Sequence, residues 1–346
     1  MTVLGMVAHP IVQAPMAGGP STPDLAAAVS NAGALGFVAA GYLTPETLRA
    51  QIDATRALTD RPFGVNVFSP PARAADPERV RAFVERLAPL AAAESVALGE
   101  PRYDDDHYDD KVEIVVDARP AVVSFAFGCP SPEVVRRCVA AGSEVWVTVT
   151  DASEAVAARA VGAQAVVAQG SEAGAHRGAF DDDDRDPLSL RALLDDVRTA
   201  FGEHSEAPAI IAAGGLMTGR DVAQALAAGA GAAQLGTAFL LCPEAGTSEV
   251  HRRAIGEDRP TTITRAFTGR RARGIVNAWT DRFTADAPRA YPEIHHVTAP
   301  LRAHGRRTGN PDLVNLWAGT GHAQARPVPA ADLIAALARE LVDHLA

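Results

Sequence analysis

Eight short apolar runs punctuate the chain, at residues 11–14, 36–39, 63–67, 121–125, 145–149, 165–168, 209–213 and 232–235. Each is followed by glycine or polar residues and then by an alanine-rich stretch of helical character. The runs are continuous rather than alternating, which is the pattern of strands buried on both faces. Several intervening stretches open with a capping hydroxyl ahead of a proline at the first helical position: Thr22-Pro23, Thr44-Pro45 and Ser131-Pro132. Eight strand–helix units predict an α/β TIM (β/α)8 barrel. A doubly wound open sheet usually has fewer strands and a G-x-G-x-x-G turn after the first, and none follows here.

A plain barrel takes roughly 250 residues, so a chain of 346 carries a surplus. Residues 242–311 break the rhythm, being arginine-rich, proline-dotted and weakly periodic. They are expected to form an inserted region after strand 8 that folds over the barrel mouth. The expected division is a cofactor-binding barrel over 1–241, the insertion over 242–311, and a segment over 312–346 that returns to the barrel. The amphipathic tail at 330–345 would be its closing helix.

Composition narrows the function. A hydrophobic fraction of 47% supports a sizeable core, and a net charge of −10 speaks against nucleic acid as a partner. No stretch approaches the roughly eighteen apolar residues of a membrane span, and the N-terminus lacks the basic and apolar regions of a secretory signal. Cys129, Cys138 and Cys242 are too scattered for a disulfide framework or a zinc cluster. These features predict a cytoplasmic protein. The only lysine, Lys111, lies in RYDDDHYDDKVEI, which reads as a solvated insertion. Schiff-base catalysis and a Walker phosphate loop, which both need a suitably placed lysine, are thereby excluded. The run Asp181–Asp184 likewise reads as a solvated loop rather than a metal site, because four consecutive carboxylates cannot all face one ion.

In a TIM barrel the residues just after each strand meet at one face and build the active site. Here they are Gln13 to Gly19, Gly41, Asn66, Gly128, Thr150, Gln169 to His176, Gly214-Gly215 and Gly236-Thr237. The set is rich in glycine and amides and nearly empty of acids, which disfavours paired-carboxylate hydrolysis and divalent-metal chemistry. It suits a flat heteroaromatic cofactor whose ring edges need hydrogen bonds. Gly214-Gly215 and Gly236-Thr237 follow the seventh and eighth runs, where barrels commonly bind phosphate on exposed backbone N–H groups. His176 lies on the loop after the sixth run, where it can act as base, acid or cationic partner. Arg177 either guards an anionic ligand or forms a surface ion pair, and Glu172 is expected to hold the loop by accepting N–H bonds.

The segments QAPMAGGPSTPDLAAAVSNAGALGFVAAGY, FGVNVF, VVSFAFGCP, QGSEAGAHRG, AAGG and QLGTAFL, in that order, resemble the FMN-dependent nitronate monooxygenases, formerly 2-nitropropane dioxygenases. The likeness runs from about Pro10 to the NLWAG stretch at 315–319. It implies FMN contacts at Asn66, Gln169, Gly174, Gly214, Gly215, Gln234, Gly236 and Thr237, with Pro15, Met16 and Ala17 running along the flavin ring. His176 matches the family's catalytic histidine. The implied reaction oxidises alkyl nitronates such as propionate 3-nitronate with O2 to a carbonyl compound and nitrite. It passes through a flavin semiquinone, without reduced nicotinamide and without a metal. A detoxifying monomer or homodimer would fit the family. Two positions depart from its pattern: Ala175 stands where many members have glycine, and Ala126 where many have histidine.

Two alternatives share these features. A flavin barrel similar to the FMN-dependent enoyl-acyl-carrier-protein or quinone reductases would use NAD(P)H, with arginines from TRAFTGRRARGIVN (264–277) on the dinucleotide phosphates. The other expectation for that segment is a salt-bridged arm packed on the barrel or a second subunit. A non-catalytic flavin or metabolite sensor is the second alternative, and a histidine on the glycine loop counts against it.

Overall fold

The computed structural model describes residues 2–70, 75–202 and 207–345. Its strands are β1 (Ile11–Gln13), β2 (Gly36–Ala39), β3 (Phe63–Phe68), β4 (Val122–Ala126), β5 (Glu144–Val149), β6 (Ala165–Gln169), β7 (Ala175–His176), β8 (Ala209–Ala213), β9 (Ala232–Leu235), β10 (Thr261–Thr264) and β11 (Ala272–Ile275). Eight of them form one parallel sheet in the order β1-β9-β8-β6-β5-β4-β3-β2. A bridge from Val12 to Leu35, just ahead of β2, brings its two edges together as a barrel. These eight strands overlap all eight apolar runs, and their limits differ from them by two residues at most. The capping hydroxyls act as their sequence implies: Thr22, Thr44 and Ser131 accept from the N–H groups of Leu25, Thr47 and Val134.

The strands are apolar on both sides because each side meets a different core. Inward, Val12, Phe37, Val122, Trp146, Val167 and Ile211 fill the barrel, with Val3 of the N-terminal turn among them. Gly64 makes room there, since a Cβ at that position would collide with the Phe37 ring. The filled interior leaves the C-terminal ends of the strands as the place for a cavity. Outward, the strands pack against the surrounding helices, including the closing helix Ala330–Leu345 through Leu333, Ile334 and Leu337.

A separate core lies above the barrel. Phe267, Trp279, Phe283, Ile294, Val297 and Leu301 pack with Phe83 and Leu87 of helix Pro77–Ala93, which belongs to the connection between β3 and β4. Phe267 stacks on Trp279 with centroids 5.1 Å apart. Strands β10 and β11 form an antiparallel hairpin, and β11 also pairs with β7, so Ala272 opposes His176 and Arg273 opposes Ala175. This three-stranded sheet ties the region after β9 to the loop after β6.

Two polar stretches expected to be solvated are so only in part. Lys111 sits on helix Tyr108–Ala118, fully buried beside Val112 and Val115, with its Nζ 2.7 Å from Asp106. A lone ammonium could not be buried there; the nearby carboxylate compensates it. Asp182 is also buried, between Arg265 (2.8 Å) and Arg271 (3.1 Å), while Asp184 binds Arg265 and Asp181 binds Arg289. The acidic run is thus the counter-charge of the arginine-rich segment, which packs on the barrel as a salt-bridged arm.

Burial of the single lysine makes a direct test. Acetylation of the native protein by an N-hydroxysuccinimide ester should modify the α-amino group and spare Lys111. In urea both amines should react, as peptide mass mapping will show. Reaction of Lys111 in the folded protein at the rate of a free amine would contradict the burial.

Candidate active site

A cavity of about 620 Å³ opens at the C-terminal ends of the strands. Pro15, Met16, Ala17, Asn66, Gln169, Gly174, His176, Gly214, Gly215, Gln234, Gly236 and Thr237, the residues that the resemblance implies for the flavin and for catalysis, line it. They come from five strand ends that the barrel brings together. Gly214 (φ +124°) and Gly215 (φ +71°) adopt backbone angles closed to most side chains, and a Cβ on Gly174 would lie 2.5 Å from the Ala318 carbonyl carbon. Among the described residues, the N–H groups of Gly214, Gly215 and Gly236 have no backbone acceptor. The Gln234 carboxamide makes no side-chain hydrogen bond among the described residues, and Asn66 uses only its Nδ2, toward Ser124.

The loop between β6 and β7 is held from below. The Gln169 carboxamide donates to the His176 carbonyl (3.0 Å) and accepts from the Gly178 N–H (2.8 Å). Glu172 accepts from the Leu190 N–H at 2.9 Å, as expected of a loop-holding acid. Arg177 does not line the cavity, and among the described residues it forms no ion pair. It is buried, with Nη1 donating to the carbonyls of Gln169 (3.2 Å) and Gly170 (2.8 Å), because β7 points His176 toward the cavity and its neighbour away. Arg270, also buried, donates from Nε to the Arg177 carbonyl (3.1 Å) and lies 4.1 Å over the Phe127 ring. Ala175 is left-handed at φ +62°, so a side chain occupies a conformation that glycine adopts without strain.

His176 is enclosed by the rings of Phe127, Tyr291 and Trp317, with centroids 5.7–5.8 Å away. Burial, together with the charges of Arg270 and Arg302, pushes its pKa down to about 3. The ring is therefore neutral near pH ~7. Its Nε2 lies 2.9 Å from Thr268 Oγ1. That hydroxyl donates to the Arg270 carbonyl at 3.2 Å, so its oxygen is left to accept from Nε2–H. The partners thereby assign the lone pair to Nδ1.

Other cavity residues were not singled out from the sequence. Along helix Glu293–Thr308 the cavity takes His295, Ala299, Arg302 and Arg306, one face at helical spacing. Ile294, Val297 and Leu301 on the same helix enter the upper core. The cavity face escaped notice because it is polar, so hydrophobic periodicity is blind to it. Arg302 donates from Nε to Thr298 Oγ1 (3.0 Å) and from Nη2 to the His295 carbonyl (2.8 Å). Burial lowers its pKa to about 10, and no carboxylate among the described residues pairs with it. No described aspartate or glutamate lines the cavity, so its fixed charges are the cations of Arg302 and Arg306. His251 also lines it, with Nε2 3.0 Å from the Trp317 carbonyl and a pKa pushed down to about 4 by burial.

The family model for nitronate monooxygenase matches residues 2–340. A nitronate monooxygenase from Pseudomonas aeruginosa is 42% identical to this chain, with 97% of each covered. Among solved structures, nitroalkane oxidase from Streptomyces ansochromogenes superposes with a TM-score of 0.95 at 45% identity, over 99% of this chain and 98% of that one. FabK from Thermotoga maritima superposes at 0.76 and 25% identity, over 99% and 95%.

The buried histidines set a pH dependence of stability. Unfolded imidazoles bind protons near pH ~6.5, whereas His176 and His251 resist protonation until about 3 and about 4. Between those limits the unfolded state holds more protons, so stability falls as pH drops, by at most roughly 1.4 kcal/mol per histidine per pH unit. The melting temperature should decline from pH 7 to pH 5, and less steeply in His251→Gln. An unchanged slope in that variant would remove His251 from the account.

Proposed function

The chain belongs to the nitronate monooxygenase family, a family of oxidoreductases, and on that footing we propose that its cavity binds FMN and oxidises nitronates with O2 to a carbonyl compound and nitrite. Propionate 3-nitronate and simple alkyl nitronates are the proposed substrates. The observation that carries this reading is a neutral imidazole, His176, sharing a cavity with a buried guanidinium, Arg302, where among the described residues no carboxylate lines the cavity or pairs with that guanidinium.

The residues present fit FMN. The positive φ of Gly214 and Gly215 and the N–H groups of Gly214, Gly215 and Gly236, without a backbone acceptor among the described residues, suit a single phosphate. The free Gln234 carboxamide and Asn66 Oδ1 suit the polar edges of a flat ring, while Pro15, Met16 and Ala17 offer it an apolar edge. Gly174 and Thr237 complete the wall, and the Gln169 amide, committed to the loop, acts by shaping it. When bound, FMN supplies the redox centre between the nitronate carbon and O2.

The protein's own part is to bind, orient and keep protons in place. Arg302 and Arg306 draw the planar anion in, and the absence of carboxylates among the described lining residues spares it repulsion. His176, fixed by Thr268, presents Nδ1 with its lone pair. With the Arg302 cation stabilising the nitronate that forms, it takes there the α-proton from a nitro compound that arrives in its neutral form. Phe127, Tyr291 and Trp317 keep water from the imidazole and from the reacting carbon. Residues 1–241 serve as the cofactor barrel, 242–311 as the substrate-side cover and 312–346 as the closing segment, with helix Pro77–Ala93 as a buttress to the cover. A nicotinamide reductase reading would need free arginines in 264–277, whereas Arg265 and Arg271 are spent on Asp182 and Arg270 on carbonyls.

Under anaerobic conditions a nitronate should bleach the bound flavin, and NADH or NADPH should not. In air, nitrite should form as oxygen is consumed. The flavin released by heat should have the mass of FMN. His176→Asn should keep its flavin and lose about 10²–10⁴-fold in rate with a neutral nitroalkane, and less with the preformed nitronate. Arg302→Met should act mainly on KM. Bleaching by NADPH within turnover times, with nitronates inert, would reject the assignment.

A further inference from the structure

The stretch around the only lysine reaches the cavity by two routes. Asp106, ion-paired to Lys111 at 2.7 Å, accepts the Tyr42 N–H on its other oxygen at 2.9 Å. Asp104 Oδ2 lies 3.5 Å from His296 Nε2, next to His295. Tyr42 and His295 both line the cavity and stack on each other, with centroids 4.2 Å apart and planes 7° from parallel. The acidic stretch thus holds both partners of that stack, one through Tyr42 and the other through the residue beside His295.

Tyr42 needs holding. It is left-handed at φ +68°, a conformation an aromatic residue avoids without a local constraint. Its ring packs edge-on against Phe68, and its hydroxyl is 3.4 Å from that of Tyr291, whose ring in turn faces His176. A shift of Tyr42 is therefore felt both at His295, which receives an Arg302 hydrogen bond on its carbonyl, and near His176. The ammonium of Lys111 fixes the Asp106 carboxylate, and that carboxylate fixes the Tyr42 backbone. This also explains why a fully buried lysine stands where an apolar residue would pack with less cost.

We infer that Asp106 is a positioning residue: acting through the Tyr42 N–H, and with Lys111 as its counter-charge, it sets the Tyr42–His295 wall of the cavity and so the affinity for substrate. The kinetic part of the test rests on the nitronate reading above; the exchange part does not.

Both charges are removed together, so that neither is orphaned. Lys111→Met is combined with Asp106→Asn, which keeps an acceptor for Tyr42, or with Asp106→Gly, which loses the acceptor but tolerates the positive φ of Asp106 (+59°). Hydrogen exchange followed by mass spectrometry should show the segment around Tyr42 deprotected by about tenfold in the Gly variant, with the barrel strands unaffected and the Asn variant close to the parent. For propionate 3-nitronate, KM should rise by about tenfold in the Gly variant with a smaller change in kcat, and adding Tyr42→Ala should cost nothing further. Equal protection in the two variants, deprotection spread over the barrel, or full additivity with Tyr42→Ala would each overturn the inference. If no nitronate is turned over by the wild type, the activity reading fails and the exchange comparison still decides this one.

Discussion

The pairing of Ala175 and His176 with Ala272 and Arg273 is the constraint on which the rest of the site depends. A barrel presents its strand ends but does not by itself fix the loops beyond them. Here the loop after β6 becomes a strand of a second sheet, and a register shift of one residue would turn His176 away and bring Arg177 in. The register is secured from outside the ladder. Arg265 and Arg271 grip the buried Asp182, and Arg270 ties the Arg177 and Ala179 carbonyls to the turn that leads into β11. Each ladder bond contributes modestly, about 1 kcal/mol net. Removing Asp182 would be more damaging, because Arg265 and Arg271 would lose their shared buried counter-charge and keep only Asp184 and Asp183.

Charge is distributed in opposite senses inside and outside. The chain as a whole carries −10, yet the fixed charges lining the cavity are cationic and its histidines are held neutral. Burial produces both effects. It removes the proton from the imidazoles, and it leaves Arg302 charged because even a pKa of about 10 is far above neutrality. A buried cation without a carboxylate is costly to the folded protein. It is best understood as a group whose partner arrives with the ligand.

Much of the barrel and of the strand-end chemistry was legible in the sequence. Continuous apolar runs marked the strands, threonine–proline and serine–proline pairs marked the helix starts, and glycines after the seventh and eighth runs marked turns that line the cavity. The cavity gathers the residues that the resemblance implies because the fold fixes where strand ends meet. What stayed hidden was pairing at long range. Lys111 and Asp182 read as solvated because a charged residue looks the same whether water or an ion partner surrounds it. Arg177 sat in the right loop but on the wrong side of a two-residue strand. Helix Glu293–Thr308 was read as irregular because its apolar face is narrow, Pro300 interrupts it, and its other face serves the cavity.

That helix has a consequence for how such a protein can diversify. One face is committed to the upper core through Ile294, Val297 and Leu301, while His295, Ala299, Arg302 and Arg306 line the cavity. The two sets interleave along a single continuous segment without sharing a residue. Descendants of this chain could therefore exchange one clientele of small molecules for another by editing four sites on one helix, while the barrel, its glycine turns and the loop bearing His176 are inherited unchanged.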